Sequence, residues 1–251
     1  MMTKNLCFDI GNTCTTIGLF KSGRLFQFYS INNADIPKKL LKLAQKVSKN
    51  AEKTIISSVL PSVSAKIKSF LIADGVKNVK CVSKSYNDFI KINYKKAKKL
   101  GQDRIVNAVG ARNLVGGDCL IADFGTAFTF DYVSKKGVFE GGFILPGLET
   151  ALESLHKKTA LLPKISLAGK VRFPGNSTNS CMRGGALLGY GAMTRKLAED
   201  FARKFRLKKY TLIVTGGHAA LMKPHLKDIR NVVFDPHFTL KALNSILDCK
   251  K

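Results

Sequence analysis

The sequence predicts an α/β protein built from two copies of one domain, each with a mixed sheet. Three observations predict it. First, Leu6-Cys-Phe-Asp9-Ile-Gly11-Asn-Thr13 is echoed by Leu120-Ile-Ala-Asp123-Phe-Gly125-Thr126: an apolar strand, Asp-x-Gly, then a hydroxyl residue. Second, each copy continues through a β-rich run (residues 15–20; 128–133), a turn holding Gly23 or Gly137, and another β-rich run (25–29; 138–143). Third, helical and strand periodicities alternate after each hairpin region, as in a mixed sheet flanked by helices.

In chain order, residues 37–53 space Leu40, Leu41, Leu43, Ala44 and Val47 along one helix face. Residues 54–59 read as a buried strand, 62–73 as a helix and 78–82 as a strand, and another helix begins at Gln102. Gly116-Gly117 interrupts that helix and sets the expected division: an N-terminal lobe 1–116 and a C-terminal lobe 117–251. In the second half, 148–156 and 181–205 are helical and 211–215 is a buried strand. A short helix at 218–222, a strand at 232–234 and a closing helix at 239–247 complete the chain.

A length of 251 residues suits two lobes, each of about 120 residues. Hydrophobic residues at 45% and charged residues at 24% exclude a disordered chain. The 42 Lys+Arg against 17 Asp+Glu give +25, a field that attracts polyanions. The basic residues are dispersed, with local runs only at 91–99, 203–209 and 250–251. A dedicated nucleic-acid binder concentrates them on one element, so a generally basic surface and no specific nucleic acid are expected. Cys7, Cys14, Cys81, Cys119, Cys181 and Cys249 form no CxxC pair and have no histidine at ligand spacing, which argues against zinc. Cys7 and Cys119 lie in apolar strands, where a cysteine is a small buried hydrophobe. Residues 1–5 run straight into a strand, unlike a signal peptide. No uncharged apolar run reaches the ~18 residues of a membrane span. A cytoplasmic protein without a membrane partner is expected.

An Asp at the end of a buried strand, followed by a glycine turn, can hold a hydrated Mg²⁺ while the turn's N–H groups and hydroxyls cradle phosphates. Alone, either Asp-x-Gly is equally an ordinary β-turn with a solvated Asp; two copies in a duplicated frame favour phosphate. The other nucleotide signatures, GxxxxGK[ST], GxGxxG after a strand and the protein-kinase HRD and DFG pair, are absent. Thr215-Gly216-Gly217-His218, between a buried strand and a helix, lets a flat ring approach the backbone, or is simply a tight turn. By itself Gln102-Asp103-Arg104 reads as the acidic N-cap and first turn of a helix running to Val115. His156, His218, His225 and His237 are scattered, and a surface or capping role is the simpler reading of His218.

Together these residues resemble the type III pantothenate kinases. The resemblance rests on Asp9-Ile-Gly-Asn-Thr13, on Gly101-Gln-Asp103-Arg104 followed by Asn107-Ala108, and on Asp123-Phe-Gly-Thr126. It rests also on Gly141-Gly142-Phe-Ile-Leu-Pro146-Gly147, Lys158-Thr159-Ala160 with Pro163, and Thr215-Gly216-Gly217. The blocks come in the family's order from residue 6 to about residue 245. The resemblance implies duplicated actin-like (ribonuclease H-like) domains with mixed sheets and an active site in the cleft between lobes. It also implies a homodimer and ATP-dependent phosphorylation of pantothenate to 4'-phosphopantothenate, the first step of coenzyme A biosynthesis. By the same resemblance Asp9, Ile10, Gly11, Asn12, Thr13, Cys14, Thr15 and Thr16 bind ATP phosphates, with Asp9 meeting Mg²⁺ through water, and Thr126 contacts ATP. Gly101, Gln102, Asp103, Arg104 and Thr178 contact pantothenate, Asp103 is the proton acceptor, and Asp123 ligates a monovalent cation, K⁺ or NH₄⁺.

The chemistry is consistent with these roles. Phosphoryl transfer needs charge neutralisation and in-line positioning more than covalent help. A carboxylate can orient a primary hydroxyl and take its proton, and Arg104 offers a forked donor to a carboxylate. The chain departs from the family at Cys14, Gln102 and Lys158, where Asn, Ala and Arg are usual. It departs also at residues 177–182, Ser-Thr-Asn-Ser-Cys-Met, where Asn-Thr-Val-Glu-Ala-Met is common and substrate is contacted. Two other readings stay open: a kinase for another small hydroxy acid or sugar, and a non-enzymatic DNA-binding or transcriptional accessory protein on the same fold. The set Asp9, Asp103 and Asp123 speaks for the enzyme.

Overall fold

The structure, a computed structural model, describes residues 4–33, 36–48, 51–82, 89–96 and 99–248. Residues 1–3, 49–50 and 97–98, the side chains of Leu40 and Leu41, Cys249 and the basic end 250–251 lie outside the described residues. The chain forms two compact units: Met1–Gly116 with Gly137–Phe139 and His237–Lys251, and Gly117–Lys136 with Glu140–Pro236.

In the first unit, β1 (Lys4–Ile10), β2 (Cys14–Lys21) and β3 (Arg24–Asn32) form an antiparallel meander, and β4 (Lys53–Ser58) and β5 (Val79–Cys81) extend it in parallel. The strand order is β3-β2-β1-β4-β5. Every second residue of β1 packs against the helices α1 (Ile36–Ser48) and α2 (Pro61–Ala73), so that Leu6, Phe8 and Ile10 share a core with Ala44, Val47, Ile67 and Leu71. Cys7 and Ile55 are buried too, so the sheet needs cover on its second face.

That cover comes from the end of the chain. The closing helix α7 (Phe238–Asp248) belongs to the first unit, a correction to the expected lobe 117–251. It lies against β1 and β4, with Asn5 Nδ2 donating to Asn244 Oδ1 at 2.8 Å. It also packs on α3 (Gln102–Gly110). A side chain at Gly110 would place its Cβ 2.4 Å from the Ala242 Cβ, so a glycine is required for this crossing. Each fully buried leucine of α7, such as Leu240 and Leu243, contributes about 1.5–3 kcal/mol. The expected helix to Val115 continues past α3 as a π turn, Ala111–Val115, and stops at Gly116 and Gly117, both with φ +72°.

The second unit repeats the plan. The strands β7 (Cys119–Phe124), β8 (Ala127–Val133) and β9 (Val138–Pro146) lie side by side, and β10 (Thr211–Thr215) and β11 (Val232–Phe234) add in parallel beyond β7. The order β11-β10-β7-β8-β9 is therefore β5-β4-β1-β2-β3 over again. The first residues of β9, Val138 and Phe139, belong to the first unit, where they pair with β6 (Lys91–Ile92), a strand that no sequence pattern announced. The helices are α4 (Leu148–Lys158), α5 (Thr178–Lys204) and α6 (Ala219–Met222). Phe124, Phe128, Phe130 and Tyr132 form the core with Leu148, Leu152, Leu187 and Ala198. Cys7 and Cys119 are fully buried, as expected. Burial, with the Asp118 charge adding to it, pushes the Cys119 thiol up to about 12. Among the described residues no helix is long and apolar enough to cross a membrane.

Candidate active site

In the first unit the β1–β2 hairpin carries Asp9-Ile-Gly-Asn-Thr13 at its tip. Asp9 is half-buried and register-paired with Thr16 on β2 and Ser57 on β4, so hydroxyl residues flank it on both sides. Ile10 is fully buried and anchors the strand end. Gly11 N–H donates to Cys14 O at 3.0 Å, which closes the hairpin. Asn12, Thr13 and Cys14 form its exposed tip. Thr15 is fully buried, and its hydroxyl donates to Asn33 Oδ1 at 2.9 Å. What Thr15 gives the turn is therefore shape, through a side chain already committed to Asn33.

The Gly101–Arg104 block is tied to the same end of the sheet. Ser58 is the register partner of Ile10, and its N–H donates to Gln102 Oε1 at 3.0 Å. The start of α3 is thus held to the carboxyl end of β4, the strand next to Asp9. Gly101 is the N-cap, with no side-chain capping bond, and Asp103 stands in the first turn. The Asp103 carboxylate folds back, accepting from Arg104 N–H at 2.8 Å. A Cβ on Gly101 would lie 2.5 Å from Asp103 Oδ1. The N-cap reading of Asp103 is corrected: the cap is Gly101. Arg104 is 4% exposed, with its guanidinium 5.5 Å from the centre of the Phe139 ring. The forked donor is thus a buried, preoriented cation.

In the second unit Asp123-Phe-Gly-Thr126 ends β7. Gly147 N–H and Thr150 Oγ1 donate to Thr126 O at 2.9 and 2.7 Å, and His218 N–H donates to Phe124 O at 3.1 Å. The backbones approach so closely that a Cβ on Gly147 would lie 2.1 Å from Gly125 O, and one on Gly216 2.4 Å from Asp123 Oδ1. Gly216 also has φ +91°. Two buried polar atoms near this turn have no hydrogen-bond partner: the hydroxyl of Thr215, the register partner of Asp123, and Nδ1 of His218. An orphaned hydroxyl beside a half-buried carboxylate fits a bound cation. His218 occupies the N-cap position of α6, as the capping reading had it, but without a side-chain capping bond; its ring is partly exposed and its Nε2 faces Glu149 Oε1 at 3.4 Å. Thr126 is exposed. Thr178 is exposed too, in the first turn of α5, behind a Ser177–Ser180 capping box and in the second unit, whereas Gly101–Arg104 lie in the first.

Sequence reasoning missed Asn33, Ser58, Glu149 and Thr150. Their partners lie far away in the chain, and a lone Asn or Ser at a strand end carries no signal of its own.

Comparison with known proteins gives these turns a context. A family model described as type III pantothenate kinase matches residues 5–200. A type III pantothenate kinase of Methylacidiphilum infernorum (isolate V4) is 35% identical over 240 residues, covering 95% of this chain and 86% of that one. Another, of Fervidobacterium nodosum, is 33% identical over 254 residues, covering 98% of each. Among solved structures, component A of the (R)-2-hydroxyglutaryl-CoA dehydratase of Acidaminococcus fermentans aligns with TM-score 0.54 at 10% identity, over 97% of this chain and 95% of that one. The inorganic polyphosphate/ATP-glucomannokinase of Arthrobacter sp. strain KM aligns with TM-score 0.50 at 13% identity, over 98% and 100%. At such identities the likeness speaks for the fold alone: duplicated actin-like domains with mixed sheets. The sequence likeness goes further, and the chain belongs to the type III pantothenate kinase family.

Proposed function

We propose that this chain transfers the terminal phosphoryl group of ATP to the primary hydroxyl of pantothenate, giving 4'-phosphopantothenate, the first intermediate of coenzyme A biosynthesis. The observation that carries the reading is the Ser58–Gln102 bond, which ties the helix bearing Asp103 to the strand beside Asp9. A proton acceptor and a phosphate turn then share one rigid sheet end, as in-line transfer requires. In this reading Asp103 orients the substrate hydroxyl and takes its proton as the new P–O bond forms and the bond to ADP breaks. Gly101, Gln102 and Arg104 line the pantothenate side, with Arg104 as a fixed positive charge for the carboxylate, and Thr178 is a further candidate contact for the substrate. The turn from Asp9 to Thr16 receives phosphates, with Asp9 meeting Mg²⁺ through water, and Thr126 contacts ATP. Asp123, beside the orphaned Thr215 hydroxyl, holds K⁺ or NH₄⁺. The bound cations supply charge neutralisation at the phosphates.

The same reading makes the protein a cytoplasmic homodimer. Its support is a stripe of small exposed residues on α5, Gly185, Gly189 and Ala192, on the helix face away from the buried Gly184, Leu187 and Gly191. Such a stripe lets a second helix approach closely, and sedimentation as an active monomer would remove the claim. The DNA-binding alternative is not favoured, and any retention of DNA by the +25 surface should fall steeply with salt.

Release of ADP from ATP, measured with pantothenate against a panel of sugars and short-chain hydroxy acids, tests the function. Turnover with pantothenate well above the panel is expected. A preferred sugar or other acid would reassign the substrate.

A further inference from the structure

One residue outside the phosphate turn gathers the carbonyls of its tip. Asn33 follows β3, two strands away from Asp9. Its side-chain amide donates to Gly11 O at 2.7 Å and to Asn12 O at 3.0 Å, and its backbone N–H donates to Thr13 O at 2.7 Å. Its Oδ1 accepts from the buried Thr15 hydroxyl at 2.9 Å. Three consecutive carbonyls of the turn, and the hydroxyl that follows, therefore converge on a single residue.

Peptide geometry gives this a consequence. In a planar trans peptide the C=O and the following N–H point in opposite directions. Drawing the carbonyls of Gly11, Asn12 and Thr13 towards Asn33 turns the N–H groups of Asn12, Thr13 and Cys14 to the opposite side of the tip. Successive N–H groups facing one way form an anion-binding concavity. We propose that Asn33 is the positioning residue of the phosphate turn: by holding the carbonyls back it presents the amides of Asn12, Thr13 and Cys14 to the phosphates of a nucleoside triphosphate. This deepens the proposed function and rests on its reading of the turn from Asp9 to Thr16 as the phosphate site.

The chemistry is specific to an asparagine. Both amide hydrogens are spent on carbonyls while the oxygen accepts from Thr15, and no other side chain of that length both donates twice and accepts once. An aspartate has the same shape but no hydrogen to donate, and it places a negative charge against two carbonyls near bound phosphate. The test is therefore Asn33→Asp, with Asn33→Ala as a second variant. The readouts are MgATP affinity by equilibrium binding, the separate KM values for MgATP and pantothenate, and the melting temperature. Expected for Asn33→Asp is a loss of MgATP affinity of roughly tenfold to hundredfold, with the smaller loss for Asn33→Ala. The pantothenate KM should stay within about twofold of wild type in both. If wild type phosphorylates pantothenate and Asn33→Asp binds MgATP as wild type does, the inference is wrong while the function stands. A parallel rise of both KM values with a lowered melting temperature would mean that Asn33 only stabilises the fold, which also overturns it. Absence of pantothenate turnover in wild type sinks the function itself, a different result from either.

Discussion

The two Asp-x-Gly turns share a sequence pattern and stand at equivalent ends of β1 and β7, yet the chain fixes them by different means. The first has an exposed tip held from one side by hydrogen bonds to Asn33. The second is held mainly by backbone: Gly147 and His218 donate main-chain N–H groups to Thr126 O and Phe124 O, the Thr150 hydroxyl adds a second bond to Thr126 O, and Gly147 and Gly216 admit no side chain. One main-chain bond is common to both turns, since Asn33 and Gly147 each follow the third strand and donate N–H to Thr13 O and Thr126 O; what differs is the side chain, an asparagine at the first turn and none at the second. The first turn should thus yield to the loss of a hydrogen-bonding group, and the second to the addition of a methyl.

The largest effect expected from this contrast is at Gly216. Alanine there combines a positive φ with a Cβ 2.4 Å from Asp123 Oδ1 and 2.6 Å from the Phe124 carbonyl carbon. Overpacking of this kind costs about 1–3 kcal/mol, and displacing the turn by an ångström can cost about 10²-fold in kcat/KM. Gly216→Ala with wild-type turnover and melting temperature would show that close approach does not fix the second turn.

A smaller effect concerns the cation. Activity in K⁺ or NH₄⁺ should exceed that in Na⁺ alone by about tenfold or more, and Asp123→Ala should abolish the difference. Equal rates in Na⁺ and K⁺ would remove Asp123 as a cation ligand and leave the second turn a purely structural echo of the first.

The smallest is a difference in labelling. Cys14 is exposed at the first turn, whereas Cys119, on the strand leading to the second, is buried with its thiol pushed up to about 12. Only the thiolate reacts, so at pH 8 about one Cys119 in ten thousand could do so even if reached. N-ethylmaleimide should modify Cys14, Cys81 and Cys181 but not Cys119 in the folded protein, and MgATP should slow labelling of Cys14 alone by several-fold. Labelling of Cys14 that ignores MgATP would contradict the first turn as a phosphate site.

Strand content, the duplicated frame and the break at Gly116-Gly117 were legible because period-2 apolar runs and glycine punctuation are local signals. Thr211–Thr215 is a case: a short apolar run between a basic turn and Gly216-Gly217 folds as the strand it reads as. The return of α7 to the first unit was not legible, since nothing in residues 238–248 says which sheet face lacks cover. The two-residue strand β6 is too short to show a period. At the site, Asp9, Asp103 and Asp123 stood out by motif. Asn33 did not, because its meaning lies in bonds to residues about twenty positions earlier.

Phosphoryl transfer in this site turns on Asp103 as proton acceptor, and Asp103→Asn tests that role most directly. Asparagine keeps the length and the oxygen that accepts from Arg104 N–H, and Gly101 remains the cap, so the fold should persist. With pantothenate as substrate, kcat should fall by ~10²–10⁴. MgATP affinity, measured by equilibrium binding, should stay within about twofold. Near-normal turnover by Asp103→Asn would contradict the account and place the catalytic base elsewhere.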